Sequence, residues 1–256
     1  VNLANITVNW ADPSNLDWQE QFTAIVNASL VNTQRIGRPG NRQTILGIRT
    51  DEYTVNLVPG YLPVVPYTAT VDGINMPFEA VNASTINKDY VYEPSPLPNG
   101  EFNILFRNDQ LGFNSADTGY FFLFKQGVLQ SQDFNLADRV SNRSVDINIE
   151  GINNDDVWLY QVDVNGTPNT AWTAVPAVAG INVIYNQSSE RNLYQINTRA
   201  NDQIDLVFAD GAFANVPQGS YRIYYRTSNG LTYKITPDEI RNISIPINYL
   251  SRTGRV

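Results

Sequence analysis

The 256 residues include no Cys and no His. That removes the thiolate nucleophile, the Ser-His and Cys-His pairs and the ordinary zinc site, all of which rest on thiolate or imidazole chemistry. No disulfide can staple the fold, so stability has to come from buried apolar area, and the length suffices for one large domain or two smaller ones. Absence of Cys also fits assembly in a reducing cytoplasm. Charged residues are only 16% of the chain and the net charge is −8. This balance disfavours broad binding to a phosphate backbone, which needs clustered Lys and Arg. Long apolar runs are missing too. The stretch Tyr120-Phe121-Phe122-Leu123-Phe124 is only five residues, against the roughly 20 needed to span a membrane as a helix. The first residues lack the basic start and apolar stretch of a signal peptide. The sequence opens on Val1, which reads as a piece of a longer polypeptide or a processed chain.

What is present is β-forming. Aromatics make up 11%, and Asn about one residue in eight. Tyr, Phe, Val, Ile and Thr interrupted by Asn, Gly and Pro compose a strand-rich protein with many turns. One helix is expected near the start: Asp12 caps, Pro13 takes the first helical position, and Trp18, Phe22, Ile25 and Val26 follow at helical spacing to about Leu30. After it, Arg35, Arg38 and Arg42 lie in a Gly- and Pro-containing stretch. They read either as a solvated loop or as a docking arm for an acidic neighbour.

From Thr44 onward the period falls to two. Proline crowds 58–67, which marks an edge strand, and returns at Pro94, Pro96 and Pro98 as a stiff, exposed connector. Tyr120 to Phe124 and Val128 to Phe134 read as a strand pair turning at Gln126-Gly127. Further on, Val145/Ile147/Ile149, Trp158/Tyr160/Val162, Ile204/Leu206/Phe208 and Tyr221/Ile223/Tyr225 alternate, separated by Asn-Asp and Asn-Gly turns. The expectation is a mainly β chain of sandwich- or barrel-like domains with one N-terminal helix. The divisions expected are 1–94 (helix plus β segment), 95–143 (β segment of uncertain affiliation) and 144–256 (β domain).

The only catalytic equipment left is paired carboxylates, as in glycosidases. Asp155 with Asp156 and Asp202 with Asp205 are the pairs available. Adjacent turn residues point apart, and Asp205 falls on the outward face of its strand, so no catalytic residue is assigned. Asp163-Val164-Asn165-Gly166 resembles the start of a calcium loop but lacks its distal Glu, and a hairpin turn accounts for it more simply. Trp158, Trp172, Tyr224 and Tyr233 suit either a sugar-stacking platform or core and interface positions.

One stretch is sharper. Ile204-Asp205-Leu206-Val207-Phe208-Ala209-Asp210-Gly211 is followed by Val216-Pro217-Gln218-Gly219 and then by Tyr221-Arg222-Ile223-Tyr224-Tyr225-Arg226-Thr227-Ser228-Asn229-Gly230. Upstream stand Val157-Trp158, Trp172-Thr173-Ala174-Val175 and Asn192-Leu193-Tyr194-Gln195-Ile196. In this order the pieces resemble the baseplate J-like wedge proteins of contractile-tail phages, over roughly 145–234. Residues 1–142 are more weakly similar to the larger wedge subunits of the T4-like phages that infect cyanobacteria. Phe208, Asp210, Gly211, Pro217, Gly219, Tyr225, Arg226 and Gly230 carry the signature, with Ala209 and Ala214 standing where the family usually has Gly.

The resemblance implies a non-enzymatic structural segment of a baseplate wedge in the virion, assembled in the host cytoplasm. Its partners would be other wedge and hub proteins and copies of itself in a ring, with no nucleic acid, membrane or small-molecule substrate and no cofactor. Arg35, Arg38, Arg42, Trp158 and Tyr224 are the expected interface residues. The rival readings are a receptor- or carbohydrate-binding tail module and a carboxylate-dependent glycosidase.

Overall fold

Period-two alternation governs most of the chain, and the computed structural model turns it into strands. It describes residues 7–8, 49–56, 60–86, 90–108, 118–175, 190–229 and 244–245. The expected helix and the Arg35, Arg38 and Arg42 cluster lie outside these residues, as do Gly230 and Tyr233. In chain order the strands are β1 (Thr7–Val8), β2 (Arg49–Asn56), β3 (Val64–Val71), β4 (Ile74–Val81), β5 (Ser84–Ile86), β6 (Tyr90–Tyr92), β7 (Glu101–Asn108), β8 (Gly119–Phe121) and β9 (Leu123–Gln126). They continue as β10 (Val128–Leu136), β11 (Ser144–Ile147), β12 (Ile152–Val162), β13 (Pro168–Val175), β14 (Leu193–Thr198), β15 (Ile204–Phe208), β16 (Gly219–Thr227) and β17 (Ser244–Ile245). The protein is mainly β. It divides into two units, one from residues 1–126 and 235–256, the other from residues 127–234.

In the first unit β2-β7-β8 and β3-β4-β9 each form a three-stranded sheet, β5 pairs β6, and β1 lies parallel to β17. Asp72 and Gly73, both at positive φ, close the two-residue hairpin between β3 and β4. Such turns match strand twist when both central residues take positive φ. Pro66 sits in β3, at the edge of its sheet, where no further ladder bond is lost. Val65, Tyr67, Ala69 and Val71 alternate inward and pack with Met76 and Phe78 as core. The proline stretch departs from expectation. Pro96 is buried and its neighbours half-buried, and Glu93 just before it binds Lys125 at 2.9 Å. It joins β6 to β7 within one unit rather than linking units, so it packs like its surroundings.

The second unit is a single seven-stranded sheet in the order β10-β16-β12-β13-β14-β15-β11, antiparallel except between β13 and β14. Strand β10, from the segment of uncertain affiliation, pairs along its whole length with β16 and belongs here. It makes no hairpin with the preceding aromatic strand, because β9 pairs with β4 in the first unit. At Gly127 between them, φ is +121° and any Cβ would collide with the carbonyl oxygen of Thr227.

The sheet is curled. Four steps separate β16 from β15 in its order, about 19 Å in a flat sheet at ~4.8 Å per strand. Yet the rings of Phe208 on β15 and Tyr221 on β16 lie 6.3 Å apart, and Trp172 touches both edge-on at 5.4 and 5.7 Å. The sheet rolls into a half-barrel around this aromatic centre. All seven strands contribute to one core, with Leu136, Ile147, Leu159, Tyr194 and Ile223 around the rings. Tyr194 also donates its hydroxyl to the Val157 carbonyl at 3.2 Å across the roll.

Two local expectations change here. Residues 153–156, read as a loop, run inside β12 as an irregularity. Five residue steps on β12 (Ile152 to Val157) oppose two on β16 (Thr227 to Tyr225). Strand β16 was expected to hide only Tyr221, Ile223 and Tyr225. Tyr224 and Arg226 are buried as well, since β16 is an interior strand flanked by β10 and β12.

Candidate functional site

The signature residues build a crossing rather than a hairpin. β15 and β16 are not neighbours, and the chain from 209 to 218 carries one to the other across the rolled sheet. Phe208 is the buried end of β15. The Asp210 carboxylate then accepts the Ala212 N–H at 2.9 Å, and its carbonyl accepts the Ser141 hydroxyl at 3.1 Å. Gly211 between them has φ +96°, the region where a side chain is strained. Arg191 donates to the Phe213 carbonyl at 2.6 Å and its own carbonyl accepts the Asn215 N–H at 2.8 Å, which pins the middle of the crossing. Pro217 is buried and Gly219, at φ +105°, admits the chain into β16. Tyr225 joins the core, while Arg226 forms an ion pair with Asp156 at 3.2 Å, both side chains fully enclosed.

In each carboxylate pair one member is held by an arginine and the other is exposed. Asp155 is exposed, whereas Asp156 is held by Arg226 and by the Asn153 amide at 2.8 Å. Asp205 lies 2.7 Å from Arg199 Nε, close enough for an ion pair although not aligned as a hydrogen bond. Asp202 sits exposed in a short 3-10 turn, Ala200–Asp202. Asp163 spends one carboxylate oxygen on the Asn165 and Thr167 N–H groups, both at 2.8 Å, and so closes the turn between β12 and β13. Among the described residues no group of three or more acidic, His or Cys side chains is placed to hold a metal ion.

The aromatics sort unevenly. Trp172 and Tyr224 are 6% and 1% exposed, so neither offers an open face for a sugar or a partner. Tyr224, expected at an interface, is instead packed edge-on against Tyr160 at 6.1 Å. Trp158 is half-buried. The exposed apolar side chains near the crossing are Phe213 and Val140, which the alternation pattern does not reveal because both lie in loops.

At the end of the roll where β10 stops and β16 starts lies a cleft of about 670 Å³. Its wall combines Asn135 of β10, Arg139 just beyond it, Gln161 of β12, Asn192, and the crossing residues Asn215 and Gln218, with Trp172 and Tyr221 behind them. Carboxamides tie these parts together. Gln161 donates to the Gln218 carbonyl at 3.0 Å, Asn215 to the Asn192 side-chain oxygen at 2.8 Å, and the Gln218 amide to the Ala137 carbonyl at 3.1 Å. Arg139 donates through Nε to Gln218 Oε1 at 3.0 Å, and no carboxylate among the described residues pairs with it. The Trp172 indole N–H has no acceptor. Burial pushes the Tyr221 phenol up, opposed by its hydrogen bond with the Gln218 backbone and by Arg139. Sequence reasoning passed over this cleft because its residues come from five separate stretches and carry no motif; Trp172, Asn192, Val216, Gln218, Gly219 and Tyr221 fall within the quoted pieces, but Asn135, Arg139, Gln161 and Asn215 do not.

Among the described residues no helix is long and apolar enough to cross a membrane. No curated protein and no solved structure matches the sequence. The family model described as Domain of unknown function (DUF8360) matches residues 1–255, and the chain belongs to that family.

Proposed function

We propose that this chain is a structural segment of a contractile-tail phage baseplate wedge, working by protein-protein assembly around the tail hub and without catalysis. The observation that carries the reading is the ordered set of signature pieces along 157–230 and their resemblance to baseplate J-like wedge proteins. The fold is compatible with it. Every described signature residue serves backbone or core: a positive-φ glycine, a buried proline, core aromatics and an enclosed Arg-Asp pair. Of the carboxylates that a glycosidase reading needs, Asp156 and Asp205 are committed to ion pairs with Arg226 and Arg199.

Partners would be neighbouring wedge and hub proteins together with further copies of the chain. Arg35, Arg38, Arg42 and the half-buried Trp158 remain the interface residues of this proposal, and the enclosed Tyr224 leaves it. The test is immunogold labelling of an epitope-tagged chain in purified contractile-tail particles. Label at the baseplate end of the tail is expected. A tagged chain missing from the particles, or found on their capsids, would overturn the proposal. In parallel, purified protein should not hydrolyse polysaccharides, peptides or esters. Turnover abolished by Asp205→Asn or Asp156→Asn would sink the non-enzymatic part.

A further inference from the structure

We infer that the cleft at the β10/β16 end of the half-barrel binds a saccharide bearing one carboxylate, a sugar of the uronic-acid class. The inference stands on the cleft alone and does not rest on the wedge reading.

Three features of the wall select this ligand. The first is the set of polar atoms left over after the internal bonds are made. Gln161 and Asn215 donate with their nitrogens and keep their side-chain oxygens, while Asn192 accepts with its oxygen and keeps its N–H groups. A sugar hydroxyl both donates and accepts, so neighbouring hydroxyls can satisfy a wall that presents acceptors beside donors. A bare inorganic anion would leave the acceptors facing negative charge.

The second feature is Arg139. It spends Nε on Gln218 Oε1, which leaves both terminal nitrogens for a ligand. The cleft wall contains no Asp or Glu to neutralise it. A planar carboxylate meets such a fork through paired, charge-assisted hydrogen bonds. One Arg in a chain of net charge −8 suits a single carboxylate far better than a polyphosphate.

The third feature is size and surface. About 670 Å³ lies within the range of small-molecule clefts, and the wall is mostly polar, as a hydroxyl-rich ligand requires.

The experiment is calorimetric titration of the full chain with methyl glucuronide, methyl glucoside and acetate. Methyl glucuronide should bind at least about tenfold more tightly than methyl glucoside, the ratio expected when about 1.4 kcal/mol rests on the carboxylate. Acetate should bind too weakly to measure. Arg139→Gln should bring the glucuronide down to the glucoside's affinity, and Asn192→Ala should weaken both sugars together. Asp155→Asn, exposed and outside the cleft, should change neither. Arg139 and Asn192 lie outside the strands, and unchanged circular-dichroism melting establishes that their variants are folded. Equal affinity for both glycosides, acetate binding as tightly as glucuronide, no binding by any of the three, or indifference to Arg139→Gln would each overturn the inference.

Discussion

Removing one partner of the Arg226–Asp156 pair should cost far more than removing both. The two side chains are 0% and 1% exposed and 3.2 Å apart, and Asp156 also receives the Asn153 amide. Arg226→Met keeps most of the side-chain volume but strands a carboxylate where water cannot reach it. Asp156→Asn keeps the shape and strands a guanidinium. Each single change should destabilise the second unit by about 3–5 kcal/mol, the usual consequence of leaving an enclosed charge without its counterion. Against a typical total of about 5–15 kcal/mol, either loss approaches global unfolding.

The double variant Arg226→Met with Asp156→Leu removes the stranded charge, and its stability should return to within about 2 kcal/mol of the parent. The assay is urea unfolding read from tryptophan fluorescence, since Trp158 stands opposite Tyr224 and Trp172 lies in the core of the same unit. Comparing midpoints at constant slope gives the coupling directly. Single variants that lose less than about 1 kcal/mol and sum additively would mean the pair behaves like a solvated surface bridge, and the argument from enclosure would fail.

Gly211→Val should cost about 1–3 kcal/mol, because φ is +96° there and a Cβ would already stand 3.2 Å from the Val216 methyl; Gly211→Asn should be milder, as unfolding midpoints will report. Gly127→Ala should be worse than Gly211→Ala, since the atom it meets is a backbone oxygen that cannot swing aside. Two hydrogen bonds and the nearby charge of Arg222 hold the Asp133 carboxyl below its usual range, outweighing burial that pushes it up. Its contribution is therefore present above the unfolded carboxylate's pKa and lost as pH falls through the folded one. Asp133→Asn should flatten that acid limb slightly in pH-dependent melting, by well under 1 kcal/mol for a half-exposed partner. Burial raises the Tyr67 and Tyr194 phenols, so ultraviolet titration should show both ionising later than free tyrosine, with stability lost at the alkaline end as pH rises towards their folded values.

Much of the second unit was legible because alternation is a one-dimensional signal. Ile204, Leu206 and Phe208 are buried with Asp205 and Val207 less so, as period two requires. The same rule failed on β16, where an interior strand hides both faces and Tyr224 and Arg226 follow Tyr225 inward. It failed again at 120–134, where two strands adjacent in sequence pair with partners over 40 residues away. Local turn signals show that the chain turns, not which strands it joins. The Asp210-Gly211 turn was readable from composition, but its role as one end of a crossing depends on sheet order. The cleft was out of reach for a similar reason, since its carboxamides meet only when a flat sheet is rolled.

The division of the chain carries a consequence for biogenesis. The second unit draws on one uninterrupted stretch, 127–234, whereas the first draws on residues from both sides of it. A ribosome therefore delivers every strand of the half-barrel before it delivers β17, the parallel partner of β1. The later-numbered unit can close first, and the earlier one must wait, incomplete, for its neighbour to be made. At ordinary elongation rates of roughly 5–20 residues per second, the half-barrel takes about 5–20 s to synthesise. For that interval the first unit's strand edges lack their last contributor, and a chaperone would find its substrate in the half of the protein that was translated earliest.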